Sequence, residues 1–424
     1  MLVAALGLMV LFTPMGGKVK RGLQEIFRPD PVIVRKEAPV PARAEGEHLS
    51  PLERDPDPDF PTGLLTPPRG MDIRRLSKGI DLRVTFDASE GGPASLERKS
   101  EEAYTADYAL KVRMPRASTS WEELAMVSPH LLDLLPGLEK MLPHAKVSAW
   151  YGQLYANKAA RLKASVGKLD EVLTRHNFYD CETILNLRSP ETGQRLFLLQ
   201  AEMDVVSDGS DGDRLATMPG EIVNSTNYQP FTSYRWRKKG TVPNPMIEGW
   251  EKRIGKARSE IGESNTTEDR KTWLQGRIKM LQTGIADMKY ASFLIAEYDP
   301  FVVIPANILT DRQDPYAPNV GDFAIVVYGR RLFPAIVGDA GPSFKVGEAS
   351  LRMAREINPD ASPYRRPVSD LTVTYLVFPR TADDPKGAPD YGHWGKRCAE
   401  LVEAVGGLGP GAELHEWKDL LSGE

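Results

Sequence analysis

Cysteine and histidine are scarce in this sequence. There are two cysteines, Cys181 and Cys398, and six histidines scattered from His48 to His415, none in zinc-ligand spacing. That argues against a transition-metal enzyme. It leaves at most one disulfide, with two separate buried thiols as the alternative. A basic excess is also missing. Lys and Arg number 54 against 58 Asp and Glu, a net charge of −4, so no global field attracts nucleic acid. The apolar run Leu2–Phe12 is well short of the ~20 residues that span a membrane.

That run has the length of an export-signal core, although no basic residues precede it and no A-x-A site follows. It reads as an export signal or anchor over 1–22, with a buried helix as the other reading. Residues 28–70 hold ten of the 34 prolines, interspersed with charge, as in Pro51-Leu52-Glu53-Arg54-Asp55-Pro56. Such a segment buries little apolar surface, so 23–70 is expected to be an extended linker or a simple tail. Over the whole chain, 41% hydrophobic and 26% charged residues are ordinary for a soluble globular protein.

In 71–176 the pattern predicts a small α/β or helical companion region. Ile80–Asp87 and Tyr108–Met114 alternate like paired strands, Ser120 caps a helix, and helical spacing runs from Ala149 to about Thr174. Residues 177–424 read as a second domain. Strands are predicted over 182–187, 196–203, 299–305, 323–328, 332–338 and 371–378. A helical insertion at 214–290 interrupts them, with helices over 245–261 and 267–289. Many short strands with long irregular connections suggest an α+β protein built on a small closed β-barrel.

Three features carry chemistry. Asp339 follows the apolar run Phe333–Val337 and precedes Gly341-Pro342, so it is expected at a strand end. Desolvation there suits a general acid; capping of the turn is the other reading. Glu348 follows Gly347 and opens a helical pattern, where the helix dipole favours an ionised base; an ordinary first-turn glutamate has the same pattern. Third, Glu202-Met203-Asp204-Val205-Val206-Ser207-Asp208-Gly209-Ser210-Asp211-Gly212-Asp213 concentrates acids without the flanks of a calcium loop. It reads as an attractor for a cationic substrate or as a solvated acidic loop.

Over about 181–380 the chain resembles the glycoside hydrolase family 75 chitosanases. The resemblance rests on the acidic box, Phe301-Val302-Val303-Ile304-Pro305, and Gly321-Asp322-Phe323-Ala324-Ile325-Val326-Val327-Tyr328. It continues with Gly338-Asp339-Ala340-Gly341-Pro342, Gly347-Glu348-Ala349-Ser350, and Val373-Thr374-Tyr375-Leu376-Val377-Phe378-Pro379. It implies a six-stranded double-psi-type barrel with inserted helices. It also implies inverting, endo-acting cleavage of β-1,4 links in an amino-sugar polymer such as chitosan, with Asp339 and Glu348 catalytic. Asp204 and Asp208 would bind protonated amines, and Tyr328, Tyr234 and Trp236 are candidate sugar-stacking faces. The polysaccharide is the expected partner, no cofactor is expected, and the location is secreted or at the cell envelope. The alternatives are a peptidoglycan-acting enzyme, or a catalytically weak, envelope-anchored binding or scaffold protein on the same barrel.

Overall fold

The computed structural model describes residues 90–104, 110, 112–165 and 177–421. The expectations for 1–22 and 23–70, the 80–87 strand and the end of the helix past 165 lie outside them. Residues 110 and 112–114 of the expected second strand carry no strand. The chain divides into two units. Within the smaller, Val32–Pro115, the described residues form a short α-helix, α1 (Ala94–Glu97), whose Glu97 Oε1 accepts from Gly92 N at 2.6 Å, and a 3-10 turn over Glu101–Tyr104.

The larger unit contains Arg116–Glu424. Four helices come first: α2 (Trp121–Val127), α3 (Leu131–Leu134), α4 (Leu138–Met141) and α5 (Ala149–Ser165), with the two-residue strand β1 (Lys146–Val147) before α5. Ser120 and Glu123 form a capping box at the start of α2, as the Ser-x-x-Glu spacing requires. In α5, Tyr151, Leu154, Tyr155, Lys158, Leu162 and Ser165 recur at helical spacing and form the buried face.

The main sheet contains β2 (Cys181–Arg188), β3 (Arg195–Val206), β6 (Phe301–Pro305), β7 (Phe323–Tyr328), β8 (Arg331–Gly341), β9 (Glu348–Ser350) and β10 (Val368–Val377). Six of these run β3-β10-β7-β8-β6-β9, and β9 returns to β3 as a parallel neighbour, closing a mixed barrel. Closure leaves none of the six with a fully open edge. The α+β reading and the six-stranded barrel with inserted helices hold. Along β7, Phe323, Ile325 and Val327 join one apolar cluster while Ala324 and Val326 join the other. Burial on both faces explains why that strand reads as a continuous apolar run. The helices ahead of the barrel share these cores. Leu124, Leu131 and Leu138 lie in the first cluster, and Tyr151, Leu154 and Tyr155 in the second.

The 214–290 insertion holds more than helices. After the short α6 (Gly220–Val223), β4 (Arg235–Arg237) pairs antiparallel with β5 (Ala291–Phe293), bracketing α7 (Met246–Ile261) and α8 (Glu268–Tyr290). The two long helices pack through Ile247, Trp250, Ile254, Leu281, Ile285 and Met288. On α8 Leu274 takes a buried place, while the neighbouring Trp273 lies off the buried stripe with the guanidinium groups of Arg270 and Arg277 4.4 and 5.3 Å from its ring. The remaining helices are α9 (Ala306–Leu309), α10 (Leu351–Ile357) and α11 (Tyr391–Glu403).

One glycine fixes how β3 leaves the barrel. Gly209 has φ +100°, and a Cβ there would stand 1.7 Å from the Leu294 carbonyl oxygen. Both the left-handed backbone and the contact demand glycine. Gly209→Ala is therefore expected to lower unfolding stability by about 2 kcal/mol or more, read by chemical denaturation. An unchanged midpoint would contradict this packing.

Candidate active site

The strand register brings the two sequence-predicted acids level on strands that flank β6. Asp339 on β8 is level with Val303 on β6, and Val303 is level with Glu348 on β9. Glu348 is in turn level with Asp204 on β3. Four adjacent strands thus present Asp339, Val303, Glu348 and Asp204 as one row. Two strand spacings of about 4.8 Å put the Asp339 and Glu348 backbones roughly 10 Å apart.

Gly341 shows where the Glu348 side chain goes. Residues 339 and 341 of a strand point to the same face. A Cβ at Gly341 would lie 2.9 Å from Glu348 Oε2 and 3.1 Å from Val303 Cγ1. The Glu348 carboxylate therefore reaches over Val303 into the space above Gly341, on the face that carries Asp339. It ends up roughly one two-residue strand step, about 6.6 Å, from the base of the Asp339 side chain.

Both local environments differ from the sequence expectation. Asp339 lies within β8 and is not beyond its end, because β8 runs on to Gly341. It is half-buried, and its Oδ1 accepts from Ser233 N (2.9 Å), Ser233 Oγ (2.7 Å) and Ala340 N (2.8 Å). Ser233 belongs to the insertion, which aligns there because Tyr234 N donates to Gly338 O at 2.8 Å. Glu348 opens a strand, not a helix, since α10 starts at Leu351 with Ser350 as its cap. The helix-dipole argument is thereby replaced by a lysine. Lys345 Nζ stands 2.7 Å from Glu348 Oε1 and 2.7 Å from Asp204 Oδ2. Burial opposes the Lys345 charge, but Glu348 and Asp204 outweigh it and hold the lysine pKa above its usual value. Sequence reading missed Ser233 and Lys345. The only signal for Lys345 is its place three residues before Glu348.

Gly347 has φ +75°, and its absent Cβ would lie 2.3 Å from Glu202 O. The backbone can turn into β9 against β3 there only with glycine. The turn is closed by Asp204 N, which donates to Gly347 O at 2.6 Å.

The acidic box resolves into ion pairs and caps. Glu202 is fully buried against Arg366 (2.6 Å), and Asp204 holds Lys345 with Arg366 at 3.8 Å. Asp211 and Asp299 share Arg214, Asp213 pairs with Lys238, and Asp208 Oδ1 accepts from Gln229 N at 2.8 Å. Glu202, Asp204 and Glu348 thus share the cations Lys345 and Arg366.

The aromatic candidates lie elsewhere. Tyr328 is at the β7–β8 hairpin, opposite Arg331, eight residues along β8 from Asp339 or roughly 26 Å. Tyr234 and Trp236 are buried core residues, the latter under the Arg214 guanidinium at 5.4 Å. Two concavities, of about 610 Å³ at the tip of α7 and α8 and about 390 Å³ among Asp311, Asp314, Asn319 and Arg380, contain neither acid. Among the described residues no cluster of His, Cys, Asp or Glu is arranged to hold a metal ion, and no helix is long and apolar enough to cross a membrane. Cys181 and Cys398 are separate buried thiols.

Two carboxylates on one face of a closed barrel, on different strands, are an arrangement that acid/base glycoside hydrolysis can use. A family model described as fungal chitosanase of glycosyl hydrolase group 75 matches residues 203–406. At family level that match makes the region chitosanase-like, a glycoside hydrolase with a polysaccharide as the implied substrate. The match starts inside β3 and runs through α11, whereas the residues that carried the resemblance span about 181–380. No curated protein matches the chain.

The contact above Gly341 yields a test. The Gly341→Ala methyl has an ordinary backbone conformation but displaces the Glu348 carboxylate. Turnover is expected to fall about tenfold to a hundredfold with the thermal midpoint nearly unchanged. Full turnover in the folded variant would show that this placement of Glu348 is irrelevant to activity.

Proposed function

We propose that the barrel cleaves β-1,4 links in a glucosamine-rich polymer, chitosan first among them, by an endo-acting, inverting mechanism with Asp339 and Glu348 as the acid and base. The observation that carries this reading is the shared face of the two side chains, with Glu348 Oε2 above Gly341. A separation of this order leaves room for a water between base and sugar, the requirement for inversion.

Glu348, held by the Lys345 ammonium, takes the proton from water as the water oxygen attacks the anomeric carbon. Asp339, held at Oδ1 by Ser233 and Ala340, supplies a proton to the glycosidic oxygen as the carbon–oxygen bond breaks. Each cycle leaves Glu348 protonated and Asp339 ionised, and solvent exchange restores both. Asp204, at the edge of the same row, and Asp208 beyond the end of β3 are proposed to receive protonated amines of the polymer. Tyr328 has no part in this arrangement, because the hairpin holds it at the other end of the strands.

The same reading treats 1–22 as an export or envelope-attachment segment and 23–70 as its tether, which would bring the domain to an extracellular polymer. The pairing of glycan and site is tested by reducing-end release from chitosan and, in parallel, from peptidoglycan. Wild type is expected to act on chitosan, with Asp339→Asn and Glu348→Gln each slower by about 100-fold or more. Equal release by all three proteins would eliminate the mechanism. Release from peptidoglycan alone would move the substrate assignment.

A further inference from the structure

Helix α5 lies outside the residues that match the family, yet it holds the loop that leads to Glu348. Three of its residues reach that loop. Asn157 Nδ2 donates to Ser343 O at 2.9 Å, Lys158 Nζ donates to Phe344 O at 2.6 Å, and the Arg161 guanidinium stacks 4.2 Å from the Phe344 ring. The next residue is Lys345, which binds Glu348 and Asp204. Lys158 is 1% exposed, and its ammonium is 2.8 Å from Asp180 Oδ2, itself fully buried. Asp180 is fastened to the barrel, since its carbonyl accepts from Glu202 N at 3.3 Å. Tyr155, one turn earlier on α5, donates to Cys181 O at 2.6 Å.

Stability alone does not account for this lysine. It occupies the middle of a buried stripe, between Leu154 and Leu162, where an apolar residue would pack without the desolvation a buried ion pair requires. An apolar residue has no donor for the Phe344 carbonyl. A lysine ammonium has three, enough to hold Asp180 and the loop together.

We infer that α5 is a clamp on the Pro342–Gly347 loop, with Lys158 the positioning residue that sets Lys345 and, through it, Glu348. The inference rests on the proposed role of Glu348 as the base. It also gives the segment ahead of the family-matched domain a function in turnover.

The test uses the full chain with Lys158→Met and Asp180→Leu combined, so that no buried charge is left without its partner. On a soluble glucosamine oligomer, kcat is expected to fall about tenfold or more while KM stays within about twofold. Thermal unfolding should remain cooperative, and amide hydrogen exchange over 343–348 should become faster. Asn157→Ala, at the edge of the clamp, should lower kcat in the same direction by less. Wild-type kcat in the folded double variant would overturn the clamp. If the double variant does not fold, wild-type kcat in Asn157→Ala combined with Arg161→Ala would overturn it instead. If wild type itself releases no product, the hydrolase reading has failed. The clamp is then judged by exchange alone, and unchanged protection over 343–348 would eliminate it.

Discussion

Three residues close the barrel. Strand β9 is only Glu348–Ser350, yet it lies between β6 and β3 and joins the two ends of the sheet. Its first residue is the candidate base. Closure and chemistry therefore depend on one register: a shift by a single residue would turn Glu348 to the other face of the sheet. Gly347 ahead of it and Ser350 behind it fix that register, one by allowing the close approach to Glu202 O, the other by accepting from Phe301 N at 3.1 Å and capping α10.

The electrostatics follow from this closure. Once β9 is in place, Glu348 and Asp204 stand level on parallel strands, and two carboxylates so close repel each other unless a cation lies between them. Lys345 is that cation. Arg366 has the same function for Glu202 and Asp204. What looks in sequence like an open acidic attractor is tied up in ion pairs and caps within the fold.

Much of the barrel was legible because its strands are short apolar runs bounded by turn residues. The 323–328 strand and its hairpin to β8 follow from the apolar run and Gly329. The environments of the acids were less legible. Whether Asp339 ends a strand or lies within it depends on the pairing of Ala340 and Gly341 with β6, a long-range fact. Whether Glu348 starts a helix depends on β9, which is too short for any periodic signal. Tyr328, Tyr234 and Trp236 illustrate the limit of composition, since an aromatic side chain in a strand is as well suited to a core as to a sugar. Lys158 did leave a trace: a lysine on an otherwise buried helical stripe calls for a buried partner, although its identity as Asp180 comes only from the fold.

In the proposed mechanism Asp339 and Glu348 act on opposite sides of one glycosidic bond, with a water between the base and the sugar. The most direct measurement is the anomeric configuration of the newly released reducing end, followed by proton NMR before mutarotation. Inversion predicts that the α-anomer appears first from a β-linked glucosamine oligomer. A β-anomer appearing first would contradict the claim, because it would require direct attack by one of the carboxylates.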